Sequence, residues 1–210
     1  MRIAFLLYDD FTALDAVGPY EVLSRIPGAE VVFTAARRGP VRTDMSLAVT
    51  ADAELGEVDS ADVLLVPGGP GTLAQLSDGP VLEWLRAVDA TTTWTTSVCS
   101  GSLVLGAAGL LAGRRATSHW ACLEELAKFG AEPTGTERIV TDGKYATAAG
   151  VSAGIDLALS LTGRLAGDPV AEAIQLLIEY DPQPPYSAGS TATAPAELVA
   201  RMRANGLAIS

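Results

Sequence analysis

Short apolar runs alternate along the chain with amphipathic stretches of helical spacing. Ile3 to Tyr8 is nearly continuous in apolar residues and bounded by Asp9 and Asp10, which fits a strand covered on both faces. Asp15 to Ser24 then reads as a helix whose start is made irregular by Gly18-Pro19. Glu30 to Ala36 reads as a second strand. Pro40 to Thr50, with Val41, Thr43, Met45, Leu47 and Val49 alternating, reads as a hairpin or extended excursion. Asp62 to Val66 is a strand that runs into Pro67-Gly68-Gly69-Pro70-Gly71, followed by a helix from about Val81 to Val88. The β-branched and aromatic residues 92–98 predict a buried strand, and the small apolar residues 100–113 predict a helix directly after it. A short strand near Arg115 to Thr117 and a helix from Trp120 to Phe129 that Gly130 ends come next. Ile139 to Thr141 and Lys144 to Ala148 flank Asp142-Gly143 as a hairpin, and Val151 to Leu165 and Pro169 to Tyr180 are helical. Residues 181–195 carry four prolines and no regular period, and a helix from about Ala196 to Asn205 follows. Strands alternating with helices predict a doubly wound α/β domain with a mainly parallel sheet, whose sites form at the C-terminal ends of strands.

A length of 210 residues fits a single domain, residues 1–210, with 181–195 as an extended Pro-rich segment. The net charge of −11, with 14 Lys and Arg in all, argues against nucleic acid or an anionic membrane as partner. The apolar start meets Asp9 and Asp10 too soon for a signal sequence or a membrane span, so a cytoplasmic protein with reduced cysteines is expected. One histidine and two separated cysteines do not supply the usual zinc ligands, so no metal is expected. The Gly68 loop lacks the Lys-Ser/Thr of a phosphate-binding loop, and no GxGxxG follows the first strand.

Cys99 falls where a strand turns directly into a helix, with Gly101 and Ser102 suited to a tight turn. A thiol beside the unpaired N–H groups of a helix start is expected to have a lowered pKa and to act as a nucleophile, whereas a buried structural cysteine would fit the same local pattern. Asp15 near the start of the first helix fits either an N-cap or a site carboxyl. His119 is the only histidine, either a structural residue or the one available imidazole base, and Cys122 is expected in the core. The loops bearing Asp15, Gly68-Gly69 and Cys99-Ser100 all leave strand ends and can converge on one pocket.

Leu14-Asp15-Ala16-Val17-Gly18-Pro19, Val66-Pro67-Gly68-Gly69, the run Thr96 to Gly106 around Cys99, and Arg115-Ala116-Thr117-Ser118-His119-Trp120 resemble the ThiJ/PfpI superfamily, and within it the isonitrile hydratases. Gly150 to Asp156 and Glu179 to Ser190 extend the resemblance along nearly the whole chain. It implies a flavodoxin-like three-layer sandwich with a nucleophile elbow and a homodimer. It further implies Cys99 as nucleophile, Asp15 as the acidic residue in contact with it, and the N–H groups of Gly69 and Ser100 as donors to the thiolate or developing charge. Gly68 and His119 are further candidate site residues. The implied reaction is cofactor-free hydration of an isocyanide, a small-molecule substrate, to an N-substituted formamide. Other reactions of the superfamily, amidase-like or glyoxalase-like, and a redox or ligand sensor are the alternatives. Many relatives of the protease and amidase type place His directly after the cysteine, and this chain has Ser100 there. Some relatives are fused to helix-turn-helix regulators, and a chain ending at Ser210 is not expected to carry one.

Overall fold

In the computed structural model, residues 1–135 and 137–206 are described. The chain divides into two compact units, the first Met1–Ile178 and the second beginning at Glu179. The strands of the first unit are β1 (Arg2–Leu6), β2 (Glu30–Ala35), β3 (Gly39–Arg42), β4 (Ala48–Ala51), β5 (Ala53–Glu54), β6 (Val63–Val66), β7 (Trp94–Val98), β8 (Arg115–Ala116), β9 (Glu132–Pro133), β10 (Ile139–Asp142) and β11 (Tyr145–Ala148). Its helices are α1 (Ala13–Leu23), α2 (Thr72–Gln75), α3 (Gly79–Asp89), α4 (Gly101–Ala107), α5 (Ala153–Ala166) and α6 (Asp168–Leu177).

Seven strands form one sheet in the order β10-β11-β7-β6-β1-β2-β5, parallel throughout except where β10 turns back on β11. The apolar run of β6 is buried at all four positions, because a parallel strand covered by helices on both sides has no solvent face. Helices α1 and α5 pack together over one side, and α3 and α4 over the other, giving the expected flavodoxin-like sandwich. β3 and β4 make the predicted hairpin outside the main sheet. Strands β11, β7, β6 and β1 are consecutive neighbours, so the loops leaving their C-terminal ends lie side by side.

Two predicted helices are shorter or different. α4 stops at Ala107, because Gly109 and Gly113 take left-handed φ values of 81° and 69° that an α-helix cannot contain. The segment expected as a helix from Trp120 is a 3₁₀ helix over Leu123–Phe129, ended by Gly130 as predicted. Only Leu126 is buried in it, too little apolar surface to anchor an α-helical stripe. The short strand at Arg115 exists but pairs with β9 in a separate two-stranded sheet. In the second unit, residues 181–194 contain no helix or strand, and Pro195 caps α7 (Ala196–Ala204), on which no residue is buried. Among the described residues no helix is long and apolar enough to cross a membrane.

Candidate active site

Cys99 directly follows β7 with φ 58°, a left-handed conformation that non-glycine residues adopt rarely and that marks a strained elbow. The surrounding backbone fixes it. Its N–H donates to the carbonyls of Ala148 and Ala149 at the end of β11 (3.1 and 2.9 Å), and its carbonyl accepts from the Ser118 and Ser102 hydroxyls (3.0 and 3.3 Å). The elbow turns the thiol toward Asp15, which sits in the first turn of α1 and is fully buried. One carboxylate oxygen, Oδ2, accepts from the Gly68 N–H at 2.8 Å, whereas Oδ1 has no partner in ordinary hydrogen-bond geometry. The Cys99 thiol faces this carboxyl and lowers its pKa. Burial pushes the Asp15 pKa up to about 7 against the pull of the Gly68 N–H and the thiol, with the Asp44 carboxylate adding to the rise.

The thiol departs from expectation. A helix start was expected to lower its pKa, yet burial first, and the neighbouring Asp15 charge second, hold it well above the usual thiol range. α4 has only seven residues, and Cys99 is 6% exposed, so the loss of water outweighs the helix end. The N–H groups of Ser100 and Val151 oppose this rise by hydrogen-bonding the sulfur. Ser100 therefore supplies the donor anticipated from the sequence. Gly69 does not: its N–H donates to the Ser100 hydroxyl oxygen at 3.0 Å. The second donor on the sulfur is Val151, in the turn into α5, where it holds φ 26° despite its branched Cβ. No periodicity or residue chemistry marks Val151, and only the end of β11 brought beside β7 places it there.

Gly68 is required by contact as well as by its N–H. A Cβ there would stand 2.6 Å from Ser100 Oγ and 2.9 Å from Cys99 Cβ. Gly69 has φ 135°, and a Cβ on it would meet the backbone at Asp10 and Thr12 at 2.6 Å. These glycines let the β6 loop lie flat against both the elbow and the loop after β1.

The DJ-1/PfpI family pattern matches residues 1–163. The chain belongs to the DJ-1/PfpI family. It is 42% identical over 206 residues to the isonitrile hydratase of Pseudomonas putida, covering 97% of this chain and 90% of that protein. The crystal structure of a ThiJ/PfpI family protein from Pseudomonas syringae superposes with a TM-score of 0.95 at 45% identity, covering 97% of this chain and 85% of that one. The HTH-type transcriptional regulator CdhR of Pseudomonas aeruginosa is 31% identical over 173 residues, which cover 80% of this chain and 51% of the regulator.

His119, the remaining candidate, and Cys122 take different places in this DJ-1/PfpI chain. His119 lies with its ring over Gly150, where a Cβ would stand 2.7 Å from His119 Cδ2, so it supports the turn that carries Val151. Its Nδ1 accepts from the Ala121 N–H at 3.3 Å, which leaves the proton of the neutral ring on Nε2, and burial lowers its pKa. Cys122, expected in the core, packs against it half-buried, on the turn before the 3₁₀ segment, with Ser118 Oγ 3.4 Å from its sulfur. Its thiol is raised by burial and adds slightly to the rise at Cys99. Among the described residues no cluster of three or more His, Cys, Asp or Glu is arranged to hold a metal ion.

Proposed function

We propose that the chain hydrates an isonitrile to an N-substituted formamide through a covalent thioimidate on Cys99. The observation that carries this reading is a thiol on a strained elbow facing a fully buried carboxyl. The terminal carbon of an isocyanide must receive a nucleophile and a proton at the same atom, and Cys99 with Asp15 offers both from one side. The Pseudomonas putida relative that bears the name isonitrile hydratase, alike over 97% of this chain, supports it.

As the Cys99 sulfur bonds to the carbon, its proton passes to Asp15 and from Asp15 to that carbon, giving Cys–S–CH=N–R. Water then adds to the carbon, the C–S bond breaks, the sulfur regains a proton and R–NH–CHO departs. The Ser100 and Val151 N–H groups hold the charge that develops on sulfur, and a well-aimed donor of this kind contributes about 2.7–4 kcal/mol in a transition state. The cycle closes without metal or organic cofactor. Purified protein mixed with an alkyl or aryl isocyanide is expected to yield the formamide, followed by chromatography. No formamide from a panel of both kinds would sink the reading.

The pH profile follows from the pair as a unit. The active state holds one proton between Cys99 and Asp15, whichever atom carries it. Below about pH 7 the Asp15 carboxyl takes a second proton and can no longer accept one from the thiol. kcat/KM for isocyanide should therefore rise with pH through about 7 and hold on the alkaline side, since the thiol loses its proton only above the usual range. A rate that falls through neutrality as pH rises would contradict it. We also infer a cytoplasmic homodimer as the working unit, in line with the family resemblance. Light scattering that finds only monomer would remove the dimer.

A further inference from the structure

Beside the elbow runs a chain of hydroxyl groups whose donors and acceptors can be assigned one by one. The buried Tyr8 hydroxyl lies 2.6 Å from the Pro67 carbonyl, which can only accept, so Tyr8 spends its one proton there. Thr72 Oγ1, 3.1 Å from the same phenol oxygen and also buried, must then donate to it. That commits the single Thr72 proton. Ser100 Oγ, 2.9 Å from Thr72 Oγ1, is left as the donor in their bond and accepts in turn from the Gly69 N–H at 3.0 Å. The approach of Ser100 Oγ to the Gly69 carbonyl, at 3.4 Å, is the longer alternative for its proton. Burial pushes the Tyr8 phenol far above its ordinary pKa, so the chain keeps its proton at that end.

Ser100 is only partly buried, and its Oγ and Cys99 Cβ both lie within 3 Å of one point above Gly68. One lone pair of Ser100 Oγ is left over, and its proton is committed to Thr72 Oγ1. We propose that Tyr8 and Thr72 are positioning residues that fix the Ser100 hydroxyl as an acceptor, which orients the water attacking the thioimidate and withholds a hydrogen bond from the thiol. The second half of this statement concerns the thiol alone, while the first rests on the isonitrile reading above. In the hydrolytic step the water donates one hydrogen bond to Ser100 Oγ and gives its other proton to Asp15 as its oxygen bonds to the carbon, and Asp15 passes that proton to the former imine nitrogen. As the carbonyl forms and the C–S bond breaks, the proton left on the added hydroxyl passes by way of Asp15 to the departing sulfur, which gives R–NH–CHO and the free thiol.

Tyr8→Phe reverses the polarity of the chain. Thr72, with no phenol to donate to, turns its proton to Ser100, so Ser100 Oγ accepts twice, has no lone pair for water, and frees its proton toward the sulfur. The expected result is twofold. At pH 9 the rate of Cys99 alkylation by iodoacetamide rises about tenfold, and isocyanide turnover falls about tenfold while the Cys99 adduct accumulates by mass spectrometry. Thr72→Val, which also frees the Ser100 proton, should share the faster alkylation, and Thr72→Ser, which keeps the hydroxyl, should restore the wild-type rate. An unchanged alkylation rate at pH 9 in both Tyr8→Phe and Thr72→Val overturns the proposal. This arm needs no isocyanide, so a wild type inert toward isocyanides would end the hydratase reading and the water-orienting role, and would leave the alkylation test of the hydroxyl chain to stand or fall separately. A turnover loss that Thr72→Ser shares with Thr72→Val would mark a packing role and overturn it as well.

Discussion

Cys99→Ala is expected to lose at least about 10³-fold in isocyanide turnover with little change in fold. The side chain removed is the one that forms the bond to the substrate carbon. Its backbone bonds to Ala148, Ala149, Ser118 and Ser102 are made by main-chain atoms and survive the substitution. Alanine inherits φ 58° and its strain, so the melting temperature should stay close to that of the wild type. Two measurements read the result together. Formamide production is followed over time, and acid-quenched samples are weighed for a covalent adduct present on the wild type and absent from the variant. Wild-type turnover by Cys99→Ala would overturn the nucleophile assignment outright.

Asp15→Asn should separate activity from stability in the opposite direction. The amide can still accept the Gly68 N–H through its oxygen but moves no proton between sulfur and carbon, so a loss of at least about 10²-fold in turnover is expected. The same change should stabilise the fold at neutral pH. Asp15 is raised from 3.8 to about 7 in the folded chain, so it favours folding fully below its unfolded value and loses that contribution as pH rises through about 7. Wild-type stability should thus decline between about pH 4 and 7 where the variant stays level. A gap on the order of 2 kcal/mol in favour of Asn at pH 8 is expected, some 4–8 °C in melting temperature for a chain of this size. Thermal melts at several pH values read it, and a gap that narrowed as pH rose would contradict the raised pKa. The buried carboxyl is a stability cost kept at the point where the chemistry needs a proton acceptor.

The fold was legible because its signals are local. Apolar runs such as Val63–Val66 and the β-branched strand before Cys99 have lengths and flanks that single out buried parallel strands, and Asp142-Gly143 marks its hairpin by turn chemistry alone. The reading failed at α4, where the left-handed backbone of Gly109 and Gly113 overrode the apolar spacing, and in the Leu123–Phe129 segment, where tertiary packing buries a single leucine. Of the site, Cys99, Asp15, Gly68 and Ser100 could be singled out by residue type at strand ends. The Val151 donor could not, and neither could the proton direction through Tyr8 and Thr72.

The sequence by itself determined the alternation of strands and helices, the elbow cysteine without a histidine after it, and the superfamily it resembles. The first two depend on neighbours within a few residues, and the resemblance on short motifs spread along nearly the whole chain. Tertiary structure alone decided that the thiol is raised and not lowered, that Gly69 serves the Ser100 hydroxyl and not the sulfur, and that Val151 faces Cys99. Each of these depends on how much water a group loses and which backbone N–H reaches it, and both are set by chains brought together from β1, β6, β7 and β11.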